Sequence, residues 1–357
     1  MRICIIGGIF DKAYAYQEVV RITPETTLLA GLRQRGHHVV THGHYGWPDF
    51  GAFDVVHVHH FSWGALAAAS SYPPARFVYT HHGMASDSLS RRLVLRRVIR
   101  AADAVIALTT REASWQRAHL GVLSDRQHII PNGVDERVFA PAPSLAVPAA
   151  PWRLLYVGQL IQLKGVHLLL EACARLAAHH PLTLQLAYHV DHDLPLLRKQ
   201  ADALGLQVEF LGMQTPEQLA RLYAVSHVIV LPSLSEALPA VISEAMMVGR
   251  PIVATEVGGI PDQLAGRGRL VKPGDVTSLT AGIAEVLKQY PKWSHQAGEM
   301  STMARERFAT STMVALHADL YQELLDRPRL TRPRIAGAAI RAGTRAAVRV
   351  RGLTRDS

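Results

Sequence analysis

Residue types with chemical capacity recur where strand-like runs of this chain end. Tyr156-Val157-Gly158-Gln159-Leu160 closes one apolar run, and Lys164-Gly165 follows just ahead of a helical pattern. A lysine at that place neutralises an anionic leaving group, and a helix N-terminus adds partial positive charge. Taken alone, it also reads as a solvated surface charge. Pro232-Ser233 closes a second run and leads into Glu236-Ala237-Leu238-Pro239-Ala240-Val241-Ile242-Ser243-Glu244-Ala245. Pro239 suits the first turn of a helix, which leaves Glu236 in the loop and puts Glu244 inside the helix. Amides around Leu238, Ala240 and Val241 are then placed for a diphosphate. A retaining glycosidase needs two carboxyls ~5 Å apart across one sugar, and this spacing across a helix start does not guarantee that. Two surface glutamates are the plain alternative, an uncomfortable one for Glu244 beside Ala245, Met246 and Met247.

The first apolar run ends in Gly7-Gly8. Two glycines let backbone approach a phosphate, or simply make a tight turn. The G-x-G-x-x-G fingerprint and its ribose acid are missing, which argues against a nicotinamide dehydrogenase. Histidines crowd the same half: nine of nineteen precede residue 83, among them His57, His59, His60, His81 and His82. Strand alternation puts His57 and His59 on one face, a spacing a metal accepts. No neighbouring carboxylate or cysteine pattern completes such a site, so no metal is expected.

What must position these groups is a series of short β-rich runs alternating with helical patterns, the mark of parallel sheets built from βαβ units. Strands are expected at Arg2–Gly7, His38–Thr41, Asp54–His59, Arg76–Thr80, Ala104–Leu108 and Gln127–Ile130. A second set is expected at Arg153–Gly158, Thr183–Tyr188, Gln207–Leu211, His227–Leu231, Pro251–Thr255 and Arg269–Val271. Between them, Ala140–Trp152 carries Pro141, Pro143, Pro148 and Pro151, a stiff connector. Val166, Leu169, Leu170, Cys173, Leu176 and Ala177 follow the stripe of a sheet-packed helix. Residues 299–326 read as one closing helix. The expected class is α/β, with two facing Rossmann-like domains and a cleft between them. Residues 1–140, completed by a helix at about 305–326, form the first; 141–152 link; 153–304 form the second; 327–357 are a basic tail. In such sheets ligands bind beyond the carboxyl ends of the strands.

With 48% apolar and 19% charged residues over 357 positions, the chain has material for a large core, and general disorder is excluded. Cys4 and Cys173 sit in apolar runs and read as buried thiols, consistent with a reducing cytoplasm. No apolar run approaches the ~18 residues of a membrane-spanning helix. The run Ile3–Ile6 is too short for a signal peptide and reads as a strand.

Several of these pieces in order resemble glycosyltransferase family 4. They are Gly7-Gly8, Thr80-His81-His82-Gly83, Ile130-Pro131-Asn132-Gly133-Val134-Asp135, Tyr156–Leu160 with Lys164-Gly165, and Phe210-Leu211-Gly212. Pro232-Ser233 through Glu244-Ala245, Val257-Gly258-Gly259-Ile260-Pro261 and Val271-Lys272-Pro273-Gly274-Asp275 complete the series, and the likeness runs over roughly residues 1–326. The resemblance implies the twin-Rossmann GT-B fold and a retaining transfer of a sugar from a nucleotide diphosphate to an acceptor hydroxyl, with no cofactor and no required metal. It implies the donor on the second domain, the acceptor on the first, and closure assembling the site. Carried over, Lys164 stabilises the departing diphosphate and Glu244 holds the ribose. Glu236, with the backbone of Leu238, Ala240 and Val241, contacts the sugar and phosphates, and Gly8 approaches the phosphates from the other domain. Base recognition falls near Gly212 and Met213. His82 aligns with the family's strand-end histidine near the anomeric carbon, and His81 is its alternative, since a one-residue slip changes faces. The family commonly has arginine where this chain has Gln159. An amide donates a hydrogen bond but brings no charge, and charge-assisted bonds are roughly twice as strong.

Eight of the nine net positive charges lie in residues 327–357, which hold nine arginines and one acid. There Arg334, Arg341, Arg345 and Arg349 share a helical face opposite Ile335, Ala339, Ala342, Ala346 and Val350. In residues 90–102, Arg91, Arg92, Arg96, Arg97 and Arg100 interleave with Leu93, Val94, Leu95, Val98 and Ile99. Basic amphipathic helices suit an anionic membrane surface; a disordered basic tail is the other reading of residues 327–357. Nucleic acid is not expected, for no recognition fold accompanies the charge. The sequence therefore reads as a cytoplasmic, membrane-peripheral hexosyltransferase acting on a glycolipid or growing surface polysaccharide. A non-catalytic donor-binding protein and a nucleotide-sugar epimerase of the same fold are its rivals.

Overall fold

Parallel strands are covered on both faces and need near-continuous apolar sequence, and the computed structural model places such strands in two sheets. It describes residues 1–11, 23–44, 49–61, 65–66, 68–69, 75–81, 89–147 and 151–328. The chain divides into two compact units, Met1–Gly133 with the segment from Thr310 onward, and Val134–Ala309.

The first unit holds β1 (Arg2–Ile6), α1 (Pro24–Gln34), β2 (His38–His42), β3 (Val55–His59) and β4 (Arg76–Thr80). It continues with α2 (Leu89–Ala101), β5 (Ala104–Ala107), α3 (Thr110–Leu120), β6 (Gln127–Ile129) and, from the far end of the chain, α11 (Thr310–Asp326). Its strands run parallel in the order β2-β1-β3-β4-β5-β6. Alternation sorts the side chains into two cores. Cys4, Ile6, Val56, Val58, Phe77 and Tyr79 meet Leu95, Val98 and Leu120 on one face. Ile3, Ile5, Val55 and Val78 meet Leu28, Leu32, Val314 and Tyr321 on the other.

The second unit comprises β7 (Trp152–Val157), α4 (Val166–Ala177), β8 (Leu182–Ala187), α5 (Leu194–Ala203), β9 (Val208–Gly212), α6 (Pro216–Val225) and β10 (Val228–Leu231). Then follow α7 (Ala240–Val248), β11 (Ile252–Thr255), α8 (Ile260–Leu264), β12 (Arg269–Val271), α9 (Val276–Lys288) and α10 (Tyr290–Phe308). The strand order is β12-β11-β10-β7-β8-β9, again parallel. The stripe expected on α4 is buried at Val166, Leu169, Leu170, Cys173 and Leu176.

Two features differ from the sequence expectation. The closing helix breaks at Ala309, whose backbone is extended (φ −65°, ψ 143°) and pairs with Val134. Val134 N–H donates to Phe308 O at 2.8 Å, so a tertiary strand-like contact overrides local helix preference. The chain also passes between units at Gly133/Val134 and Ala309/Thr310, ahead of the proline-rich stretch. That stretch packs within the second unit: Ala142 N–H bonds Val248 O, and Pro143 O accepts from the buried Arg250 at 2.7 Å.

Candidate functional site

Three loops of the second unit meet beyond the carboxyl ends of β7, β10 and β11. After β7 the chain makes a single 3-10 turn, Gln162–Lys164, and Gly165 both closes that turn and opens α4. Gly165 sits at φ +68°, and a Cβ on it would lie 2.2 Å from Pro232 O. Only a residue without a side chain lets the turn rest against the end of β10. Leu234 N–H donates to Leu163 O at 2.9 Å, tying the two loops together. The β11 loop closes from the other side. Gly258 (φ +54°) would bring a Cβ within 1.9 Å of Glu236 O, and Gly259 N–H donates to Ala237 O at 2.8 Å.

These contacts aim the side chains. Lys164 Nζ donates to Glu236 Oε1 at 2.8 Å, and the same oxygen accepts from Ser233 Oγ at 2.6 Å. Glu236 is 9% exposed and Lys164 20%, so the pair is largely withdrawn from water. Thr255 Oγ1 bonds Ser233 O and fixes the loop that carries Ser233 and Glu236. Pro239 caps α7 without a side-chain bond, leaving first-turn amides at Ala240 and Val241 for a ligand. Gln263 on α8 steadies that helix start, donating to Pro239 O at 3.0 Å and to Ser243 Oγ at 2.7 Å.

Glu244 lies one turn into α7. Tyr223 of α6 donates to its Oε2 at 2.8 Å, yet burial dominates and pushes the Glu244 carboxyl up to about 7. Burial and the adjacent carboxylate drive the Tyr223 hydroxyl well above its ordinary value. The structure thus engages Glu236 and Glu244 with different partners, one cationic and one neutral. Tyr223 carries no motif in the sequence; its place on an apolar helix stripe reads as core. Tyr156, which opens the strand-end motif, is buried beneath the β7 loop and donates to Gln159 O at 2.7 Å. That bond holds the Gln159 backbone, and the Gln159 side chain is half-buried. Gly212 ends β9 in a left-handed turn (φ +67°), and Met213 beside it is exposed. Leu238 is buried in the loop before α7.

In the first unit, Gly8 opens a 3-10 turn, and a Cβ on it would lie 3.0 Å from the ring of His44. His82 lies outside the described residues. His81 is buried and stacks on Trp115 of α3, with ring centroids 6.2 Å apart and 5° between planes. His57 and His59 share a face as alternation requires, with centroids 4.2 Å apart. Both His57 nitrogens are engaged, Nδ1 with Tyr321 OH at 2.6 Å and Nε2 with Thr80 Oγ1 at 2.7 Å. Burial lowers His59 to about 3 and His317 to about 4, so both rings are neutral near pH 7.

Residues 142–306 match the family model described as Glycosyl transferases group 1, and residues 27–138 match that of Glycosyltransferase Family 4. A D-inositol 3-phosphate glycosyltransferase of Mycolicibacterium smegmatis is 30% identical over 368 residues, covering 97% of this chain and 81% of that protein. The chain belongs to the family 4 glycosyltransferases. Its fold is GT-B. Sucrose-phosphate synthase from Thermosynechococcus elongatus superposes with a TM-score of 0.75 at 20% identity, over 91% of this glycosyltransferase and 99% of that chain. Anabaena HepE in complex with UDP-glucose does so with a TM-score of 0.70 at 20% identity, over 90% and 100% of the two chains. Among the described residues, no helix of the glycosyltransferase is long and apolar enough to cross a membrane.

Proposed function

We propose that this glycosyltransferase moves a hexose, with retention, from a nucleotide-diphosphate sugar to the hydroxyl of a glycolipid or surface-polysaccharide intermediate. The observation that carries the reading is Lys164 held on Glu236, whose same oxygen accepts from Ser233, beside the uncapped start of α7. A diphosphate competes with Glu236 for the ammonium. Once Lys164 turns to the phosphates, Glu236 is released to accept a bond from a sugar hydroxyl. As the anomeric carbon–oxygen bond to phosphate breaks, negative charge grows on the leaving oxygen, where Lys164 and the α7 amides meet it. The acceptor oxygen bonds the anomeric carbon from the same face, and its proton passes to the departing phosphate. By family resemblance His82 serves the transferring sugar, Glu244 the ribose and Gly212–Met213 the base.

Glu244 sets a pH dependence. It accepts most strongly from ribose hydroxyls when ionised, and its pKa in the free protein is about 7. Because this folded value is raised, the ionised carboxylate weakens the free protein as pH rises from the ordinary carboxylate range toward 7, while nucleotide binding strengthens over the same window. A thermal-shift panel with UDP, GDP and ADP at pH 6, 7 and 8 tests both. One nucleoside diphosphate should raise the midpoint, because at ~100 times its dissociation constant it stabilises the folded protein by ~2.7 kcal/mol. The shift should grow with pH in the wild type and lose that growth in Glu244→Gln. UDP is the first candidate, since HepE binds UDP-glucose. A flat panel would overturn the reading, since a donor-binding rival would shift as well.

Gln159→Arg should then raise affinity for the same diphosphate about five- to tenfold, the gain expected when a charge-assisted bond replaces a neutral one. Isothermal titration reads it, and an unchanged constant would mean that this position does not face the phosphates.

The acceptor is proposed to lie at an anionic membrane. On α2, Leu95, Val98 and Ile99 are buried, while Arg96, Arg97, Arg100 and Leu93 are exposed, Leu93 at 58%. Each basic residue at such a surface is worth ~1 kcal/mol. Arg96, Arg97 and Arg100 changed together to Gln should weaken co-sedimentation with phosphatidylglycerol vesicles at least tenfold; equal pelleting would remove α2 from the interaction.

A further inference from the structure

Resting on the transfer reading, we propose that Glu25 and His60 form the acceptor subsite of the first unit, and that it takes the adjacent hydroxyls of an uncharged saccharide or cyclitol rather than a phosphorylated one. Among the described residues other than glycine, only His60 and Ala265 adopt positive φ, His60 at +62°. That conformation is costly for a residue with a side chain and persists where the surroundings enforce it. Here the sheet does so: His60 N–H still donates to Thr80 O at 3.1 Å. Regular alternation after His59 would send His60 to the opposite face. The left-handed turn instead brings its Nε2 to 3.4 Å from Glu25 Oε1.

Glu25 is a buried acid, 5% exposed, in the first turn of α1. Capping does not explain it, because a reciprocal box between Thr23 and Thr26 already closes that helix start. Gly7 and Gly8 let the backbone after β1 pass close to the Glu25 and His44 side chains. A Cβ on Gly7 would lie 3.0 Å from Glu25 Cγ, and one on Gly8 3.0 Å from His44 Cε1. His44 is anchored on both sides, its Nε2 3.1 Å from His59 O and its N–H on Asp11 Oδ2 at 2.8 Å. Carboxylate and imidazoles thus gather beyond the ends of β1, β2 and β3, where ligands of parallel sheets bind. A carboxylate accepts from a hydroxyl, and an imidazole donates or accepts at each nitrogen. A phosphate placed there would meet the charges of Glu25 and Asp11.

The test is saturation-transfer NMR on the full chain with myo-inositol and methyl α-D-mannopyranoside as uncharged probes and myo-inositol 1-phosphate as the charged one. Both uncharged probes should receive saturation, with at least fivefold less in Glu25→Gln and in His60→Gly. The glycine variant relieves the backbone, so its thermal midpoint should rise while the probe signal falls. A risen midpoint with full probe signal, or stronger saturation of the phosphorylated probe, overturns the subsite. UDP binding is read in the same samples. Polyol binding without UDP binding overturns the transfer reaction and upholds the subsite; UDP binding without polyol binding does the reverse.

Discussion

Lys164→Ala should lower turnover by about 10²–10³, the loss found when one preorganised donor to a developing anion is removed. The effect should fall on kcat more than on KM, because the charge Lys164 meets is larger in the transition state than in the bound donor. The structure adds a second consequence. Glu236 is nearly enclosed, and without the ammonium it keeps only the Ser233 hydroxyl at 2.6 Å. A largely desolvated carboxylate missing its cation destabilises the free protein, so Lys164→Ala should also melt earlier. Glu236→Gln in the same background should recover the lost stability without recovering turnover. That pattern separates the two tasks proposed for the lysine: holding the empty loop and stabilising the leaving group. Steady-state kinetics with melting curves on the single and double variants decide it. A kcat within threefold of wild type for Lys164→Ala would remove the lysine from the chemistry.

Gly165→Ala should be strongly damaging although it alters no functional group. A left-handed backbone costs a non-glycine residue ~1–2 kcal/mol, and here the new Cβ would also stand 2.2 Å from Pro232 O. That carbonyl belongs to the backbone of the neighbouring loop, so relief requires the β10 loop to move. A loss of about 3 kcal/mol or more is expected, or roughly 6–12 °C in midpoint at ~2–4 °C per kcal/mol for a unit of this size. Gly205 supplies the control: its φ is +64°, but nothing lies within 4 Å of the added Cβ. Gly205→Ala should therefore cost only the conformational part. Equal losses in the two variants would mean that the contact with Pro232 holds nothing. If Gly165→Ala still folds, its nucleotide-induced thermal shift should vanish, since the displaced loop carries Ser233 and Glu236.

The strands were legible to within one residue at either end because parallel strands advertise themselves as unbroken apolar runs. The polar interruption at His57 inside β3 is answered by a buried partner that sequence cannot display, Tyr321 from the opposite end of the chain. The helix break at Ala309 was illegible for a related reason. Arg307-Phe308-Ala309-Thr310 contains no glycine or proline, and the cause of the break is Val134. The positions of Lys164, Glu236 and Glu244 were readable from strand ends and a helix start. Their pairing was not. Two glutamates eight residues apart look alike until Lys164, 72 residues from Glu236, and Tyr223, 21 residues from Glu244, claim one each. His60 carries no local signal at all, because an L-residue turned left-handed is fixed by the sheet edge and not by its own preference.

The double passage of the chain between units has a bearing on how the protein is made. The first unit opens the sequence, yet one wall of its core, with Met313, Val314, Leu320 and Tyr321, comes from α11. During synthesis from the N-terminus, β1 to β6 emerge well before that wall exists. The whole of Val134–Ala309 is translated in between and contains every strand of its own sheet. The second unit can therefore finish folding on the ribosome while the first still shows an uncovered apolar face, ahead of the N-terminal half that preceded it.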